Sequence, residues 1–341
     1  DVGGRFSALT PFAMAPGALL GMDLAAITQS ALDMSAQCKA DKTSDNPGLA
    51  LGSWLAEQSL AGRDCLQLCI DEQYCSFGSW VEQLIAESTG KEGKGMLPLD
   101  GTDASAPGSR VARVILGAST NETFWQCYPE ADDDGIPTWR ITLQKETDLG
   151  GEFFRWCFAV AIAGAVMQLN PFDEPDVAAT KAATRQLLDG EGTAGSGTPL
   201  TPQDLGASLA SAGQGAYLAI LTYLPDEPAL FDVLEEFAKA VREHFDLPVT
   251  LNPGPRYLHS TGQLHKGGSP HGLFLFVRSV PERDLDIFDE DFGFAHLNHA
   301  QAEGDRAVLT DRGRAVCSVE LVGPTMSCVA QLRGALAPIL S

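Results

Sequence analysis

Apolar positions along this chain follow two alternating rhythms. Short runs with almost no polar interruption occupy residues 64–70, 111–116, 139–143, 217–224, 249–251, 273–280 and 315–321, the length and content of buried strands. Between them lie longer segments with apolar residues three and four apart, at 15–35, 49–61, 77–87, 152–169, 226–245, 296–304 and 326–340. That spacing predicts helices. In the 226–245 segment, Pro228 and the acidic residues around it suit a helix start, where the dipole favours negative charge. Strands alternating with helices predict an α/β chain with a parallel sheet sandwiched by helices. Residues 190–206 are rich in Gly, Thr, Ser and Pro and read as a linker between a first domain, 1–189, and a smaller C-terminal α/β domain, 207–341. No internal repeat is found. The acidic run 284–291 reads as a solvated loop.

Composition narrows the function classes. The chain has 341 residues, enough for two cores, and a formal charge of −22, which argues against nucleic acid as a partner. A small phosphorylated ligand stays open, because it needs only a local cluster of cations. The longest apolar run, 153–169, contains Arg155 and is short for a bilayer, so it reads as a core helix and no membrane partner is expected. None of the eight cysteines forms a Cys-x-x-Cys pair, and their spacing fits no usual zinc pattern. They read as small buried hydrophobes in a reducing, cytoplasmic compartment, with no metal. Dinucleotide, Walker and Gly-x-Ser-x-Gly signatures are absent from the sequence. The chain begins at Asp1, directly in a motif, which raises the expectation of an upstream portion.

Four segments carry chemistry. Residues 87–95 read Glu-Ser-Thr-Gly-Lys-Glu-Gly-Lys-Gly, directly after a predicted helix. A carboxylate there is held by a rigid element beside flexible backbone, with Lys91 nearby to attract an anion. Glu87 is therefore a candidate proton-transferring base, or else an ordinary helix-terminal glutamate. Arg5 follows Gly3 and Gly4, which let backbone approach a ligand; its guanidinium either stabilises developing negative charge or pairs with an acidic neighbour. Lys181 lies in an Ala-rich helix after the turn 170–175, either on a solvated face or reaching a sugar ring oxygen. Residues 254–268 gather Arg256, His259, His265 and Lys266 among glycines and hydroxyls. Anion binding or acid–base work suits that density better than metal, with structural histidines as the alternative.

Together these motifs resemble the phosphoglucose isomerase family in its short bacterial form. Residues 2–7 resemble its Gly-Gly-Arg-[Phe/Tyr]-Ser signature, 87–98 its Glu-Ser-x-Gly-Lys-Glu-Gly-Lys-Gly segment, and 170–181 its Asn-Pro-Phe-Asp-Gln-Pro-Gly-Val segment ending in lysine. The match covers roughly residues 1–185, and 254–268 resemble the C-terminal region of bacterial fusions of transaldolase with glucose-6-phosphate isomerase. The resemblance implies the second of two sugar-isomerase (SIS) domains with a flavodoxin-like sheet, and cofactor-free interconversion of glucose 6-phosphate and fructose 6-phosphate through a cis-enediol. Carried over by position, Glu87 is the base, Arg5 stabilises the enediolate and Lys181 helps open the ring. Implied partners are a sugar phosphate, an upstream SIS domain, a transaldolase domain and a second copy in a homodimer. There are departures. The family's phosphate-gripping Ser/Thr loop is not found, residues 100–113 lack the expected histidine, and Asp176 replaces a usual glycine. His259 or His265 is the candidate replacement for ring opening. The competing reading is a non-catalytic sugar-phosphate-binding or dimerisation module. Transaldolase chemistry within this chain is disfavoured, since eight strand–helix units do not fit.

Overall fold

The computed structural model of the protein describes residues 2–100, 108–128, 134–190, 199–281 and 283–340. It divides into two compact units, one ending at Asp173 and the other running on from Glu174.

The first unit opens with a single 3-10 turn, Gly4–Phe6, followed by α1 (Pro11–Leu19), α2 (Leu24–Gln37) and α3 (Pro47–Leu60). Then come β1 (Cys65–Ile70), α4 (Cys75–Thr89), β2 (Leu97–Asp100), β3 (Val111–Ala118), α5 (Glu122–Cys127), β4 (Thr138–Leu143) and α6 (Leu149–Met167). The strands pair in parallel in the order β2-β1-β3-β4, with Cys65 opposite both Leu97 and Val111. That is the flavodoxin-like order. The central strands bury both faces: Leu66, Leu68, Val114 and Leu116 reach the same core as Val81 and Leu84 of α4 and Trp156 and Val160 of α6, while Cys65, Cys69 and Ile115 are buried on the opposite face. Fully burying each such leucine contributes about 2 kcal/mol.

α6 is long and apolar enough to cross a bilayer by length and composition. Here it serves as the central helix of this unit. A Cβ on Gly52 of α3 would stand 2.4 Å from the Ala159 carbonyl, and one on Gly150 would stand 2.1 Å from that of Ile27. Glycine at these positions is what lets α6 lie close to α3 and α2. Its one ion pair, Glu152 with Arg155, is internal at 2.6 Å. The single helix expected over 15–35 is two, because Gly21 at φ +79° breaks it and Asp23 caps α2 by accepting from Ala26 N–H.

The second unit contains α7 (Pro175–Leu188), α8 (Pro202–Ala210), β5 (Tyr217–Tyr223), α9 (Pro228–Phe245), β6 (Val249–Pro253), a 3-10 turn at Arg256–His259, α10 (Gly262–Gly267), β7 (Gly272–Val280), α11 (Phe294–Asp311), β8 (Ala315–Val322) and α12 (Thr325–Leu336). Its sheet, β6-β5-β7-β8, is again parallel and repeats the order of the first. Leu218, Ile220, Leu275 and Val277 pack with Leu234 and Phe237 of α9 and Leu332 of α12 in a separate core. The fold is therefore α/β, with two four-stranded parallel sheets flanked by helices.

Three sequence expectations change. The compact units divide at Asp173, not at residues 190–206, so α7 belongs with the second sheet. Residues 191–198 of the expected linker lie outside the described residues, but 202–206 are helical: Thr201 and Asp204 form a capping box at the start of α8. The acidic run is not merely solvated. The Asp284 carboxylate accepts from Leu285, Ala295 and His296 N–H groups and closes the start of α11. Of the cysteines, Cys38, Cys65, Cys69, Cys317 and Cys328 are buried as expected, whereas Cys75 and Cys127 are exposed.

Candidate active site

In the first unit, α4 ends in Glu87, Ser88 and Thr89, all buried. The helix stops because Gly90 breaks the pattern and the next residues enter left-handed backbone, with Glu92 at φ +55° and Gly93 at +75°. Glu87 therefore sits on the last turn of a core helix beside a glycine loop. Arg5 comes to it from the other end of the unit. The opening 3-10 turn carries a guanidinium that is 1 % exposed, with Nη1 3.2 Å from Glu87 Oε2.

The guanidinium is fixed on several sides. Nε donates to Ser88 Oγ at 3.1 Å, and Nη2 donates to the carbonyls of Pro171 and Asp173, each at 3.0 Å. Trp80 Nε1 in turn donates to the Arg5 carbonyl at 2.9 Å. The group lies 5.0 Å from the Phe6 ring centre, and Phe6 packs on Phe172. Gln83, one helical turn before Glu87, donates to the same carboxylate oxygen at 3.4 Å. Gln83 and Ser88 were not among the sequence candidates. The four-residue spacing of Gln83 and Glu87 on one helix face was the available signal for Gln83.

Gly3 and Gly4 are exposed, and a Cβ on Gly4 would meet nothing within 4 Å. Packing within the chain does not require glycine at Gly4. Lys91 differs from its expected role. Its ammonium is buried and donates to the Asn170 carbonyl at 2.5 Å while pairing with Asp173 at 2.8 Å. Lys94 likewise donates to the Met167 carbonyl at 3.0 Å. Lys91 ties the glycine loop to the segment after α6, because a buried ammonium must be compensated, while the exposed Lys94 ties it to the last residue of α6.

In the second unit, Lys181 is exposed on α7 and lines a cavity of about 260 Å³ together with Thr180, Thr184, Arg185, His259 and Gln301. Three basic side chains, Lys181, Arg185 and His259, thus line one hollow. Arg256 is exposed and does not line it. The other two candidates of the 254–268 segment go inside. His265 is fully buried, with Nδ1 3.1 Å from the Tyr217 hydroxyl and its ring against Phe274. Burial first, and then the charges of Lys266 and Arg314, push its pKa down to about 3. A neutral ring sealed in the core cannot exchange protons with a bound sugar. Lys266 is 2 % exposed and pairs with Asp305 at 2.5 Å while donating to the Gly262 carbonyl at 3.0 Å. It is a structural cation and not an anion receptor. The short helix α10 turns both side chains inward, which a glycine-rich composition does not announce.

Among the described residues no group of three or more His, Cys, Asp or Glu side chains could hold a metal. Of residues 100–113, which lack the expected histidine, 101–107 lie outside the described residues.

No family model matches the chain. Curated relatives do. The chain is 26% identical over 229 residues to a probable glucose-6-phosphate isomerase of Methanococcus maripaludis, a match covering 56% of this chain and 52% of that protein. It is 28% identical over 238 residues to the glucose-6-phosphate isomerase of Lactobacillus delbrueckii subsp. bulgaricus, covering 56% and 52%. A third, the glucose-6-phosphate isomerase of Methanocaldococcus jannaschii, is 29% identical over 154 residues, covering 45% and 35%. The chain is thus a distant relative of proteins named glucose-6-phosphate isomerase, and the matches span about half the length of the first two and less of the third. Among solved structures it resembles a glucose-6-phosphate isomerase from Chlamydia trachomatis, at 12% identity, coverage of 90% and 70%, and a TM-score of 0.27. It also resembles the C-terminal domain of glucosamine-fructose-6-phosphate aminotransferase from Francisella tularensis, at 11% identity, coverage of 92% and 90%, and a TM-score of 0.27. Likeness at that level carries no argument about this chain.

Proposed function

We propose that this chain supplies the proton-transferring part of an aldose–ketose isomerase acting on a sugar phosphate, with glucose 6-phosphate and fructose 6-phosphate as the substrate pair. One observation supports this above the others: the Glu87 carboxylate, on the last turn of a rigid helix, faces a guanidinium whose other nitrogens are fixed by the Ser88 hydroxyl and by two backbone carbonyls. Moving a hydrogen between adjacent sugar carbons needs one carboxylate that reaches both and a fixed positive group for the enediolate oxygen that forms between the two transfers. Glu87 takes the first role and Arg5 the second. Gln83 and Ser88 orient them. Gly3 and Gly4 let backbone approach the sugar.

In the same reading, Lys181, with His259 as the alternative, has the ring-opening role, where a cation near the ring oxygen favours the open form. The expected partner is a first, upstream sugar-isomerase domain carrying the phosphate-gripping loop, since the relatives are about twice the matched length. A transaldolase segment fused ahead of it completes the proposed whole protein. No cofactor enters the reaction.

The test is Glu87→Gln in the protein that carries this chain, followed by solvent-deuterium exchange at C1 of fructose 6-phosphate and by a coupled isomerase assay. Exchange and turnover should fall together by about 10²- to 10⁴-fold, the usual worth of a general base, with substrate binding kept. Turnover near the parent level removes Glu87 from the mechanism. Binding by a parent protein that shows no turnover leaves a sugar-phosphate-binding module.

A further inference from the structure

In an open parallel sheet, ligands bind outside the carboxyl ends of the strands, where the strand order reverses. Each sheet here has one such place, between β1 and β3 in the first unit and between β5 and β7 in the second. The two are finished differently. In the first, Asp71 follows β1 directly and fills the crevice. Its carboxylate accepts from Ala118 N–H at 3.2 Å, Asn121 Nδ2 at 2.9 Å and Gln73 Nε2 at 3.0 Å. In the second, β5 is followed by Leu224 and Pro225, which offer no carboxylate to bridge the gap. A cavity of about 740 Å³ opens there, within the roughly 300–1,000 Å³ of small-molecule sites. Its walls are the ends of β5, β7 and β8, the outward side of α11 and the start of α12.

The lining chemistry narrows the ligand. Arg278 pairs with Glu320 and donates to Nδ1 of His299, so the positive charge is already matched and the imidazole proton lies on Nε2. Asp284, also on the wall, adds a second carboxylate. Such a lining does not attract a polyanion. Ser279, Asn298 and Thr325 add groups that both donate and accept, while Tyr223, Leu230 and Ala302 give an aromatic and apolar floor. Alternating donors and acceptors over an apolar surface match the edge and face of a hydroxylated ring. We propose that the cavity at the carboxyl edge of the second sheet binds a neutral ring bearing adjacent hydroxyls, a free sugar or a ribonucleoside. The site is independent of Glu87, Arg5 and Lys181, so its fate does not decide the isomerase reading.

The experiment titrates the full protein calorimetrically with D-glucose and adenosine, and with glucose 6-phosphate and AMP as anionic counterparts. One neutral probe should saturate at one site per chain, and which one does so separates sugar from nucleoside. A double variant, Asn298→Ala with His299→Ala, changes two exposed positions on α11 and should weaken that probe about tenfold or more. Ala302→Phe, which fills the floor, should abolish its binding. The proposal is overturned if neither neutral probe saturates or if only the phosphorylated compounds bind. Unchanged affinity in a double variant with parental circular dichroism overturns it as well.

Discussion

Two buried cation–carboxylate pairs, one in each unit, look alike in isolation and differ in what encloses them. Arg5 and Glu87 lie 3.2 Å apart with side chains 1 % and 5 % exposed; Lys266 and Asp305 lie 2.5 Å apart at 1 % and 0 %. Around the second pair everything is internal. Asp305 takes hydrogen bonds from the Tyr257 hydroxyl at 2.8 Å and from Thr180 Oγ1 at 3.3 Å, and Lys266 donates its further proton to a backbone carbonyl. The first pair borders exposed Gly3 and Gly4 and the exposed turn at Phe172. Burial and pairing alone therefore do not separate a reactive group from a strut. The neighbours do: a strut is closed on all sides by its own chain, and a site keeps one side of open backbone.

The comparison breaks most sharply if Glu87→Gln leaves catalysis intact, since the expected loss of about 10²- to 10⁴-fold is the largest effect anticipated here. Next in size is Asp305→Ala. Removing one member of a buried pair strands the other charge and should cost about 3–5 kcal/mol in urea denaturation followed by far-ultraviolet circular dichroism. If Asp305→Ala left stability unchanged, the strut reading would fail. Asp71→Ala should cost about 1–3 kcal/mol, because four N–H donors lose their acceptor. Burial pushes the Asp71 pKa up, but the bonds from Gln73, Asn121 and Ala118 outweigh it and hold the carboxyl below its ordinary range. Its folded pKa being the lower one, Asp71 adds stability above about pH 4, and that contribution is lost as pH falls through the folded value.

His265 acts in acid as well. Its folded pKa of about 3 lies below the ordinary imidazole value. The unfolded chain therefore binds a proton that the folded chain refuses, and stability should drop by about 1.4 kcal/mol per pH unit below about pH 6.5. His265→Leu should flatten that slope, and an unchanged slope would show the ring to be titratable in the fold. Smallest of all, Gly4→Ala should shift stability by no more than about 0.5 kcal/mol while weakening substrate binding. A large stability loss there would make the glycine a packing residue.

Much of the architecture was readable from apolar runs. Six of the eight strands follow largely apolar stretches, and β6 follows a shorter one; β5 is buried throughout, whereas β8 alternates between buried and exposed positions. The eighth, β2, was missed. It has four residues, one of them Pro98, and it follows the glycine loop directly. Helix α8 was hidden by composition, although Thr201, Pro202 and Asp204 spell a helix start. Within the candidate site, Arg5 and Glu87 were both legible, and the fold brings them together across 82 residues. His265 and Lys266 were not legible as interior residues. Their partners, Tyr217 and Asp305, lie far away in sequence and are brought to them only by the fold.

All five tryptophans of the chain, Trp54, Trp80, Trp125, Trp139 and Trp156, fall in the first unit. The second unit has no tryptophan, and its tyrosines are Tyr217, Tyr223 and Tyr257. Indole emission is thus a private optical channel for the half of the molecule that holds Arg5 and Glu87. With each sheet enclosing its own core, indole fluorescence follows the unfolding of the first unit, whereas far-ultraviolet circular dichroism follows both.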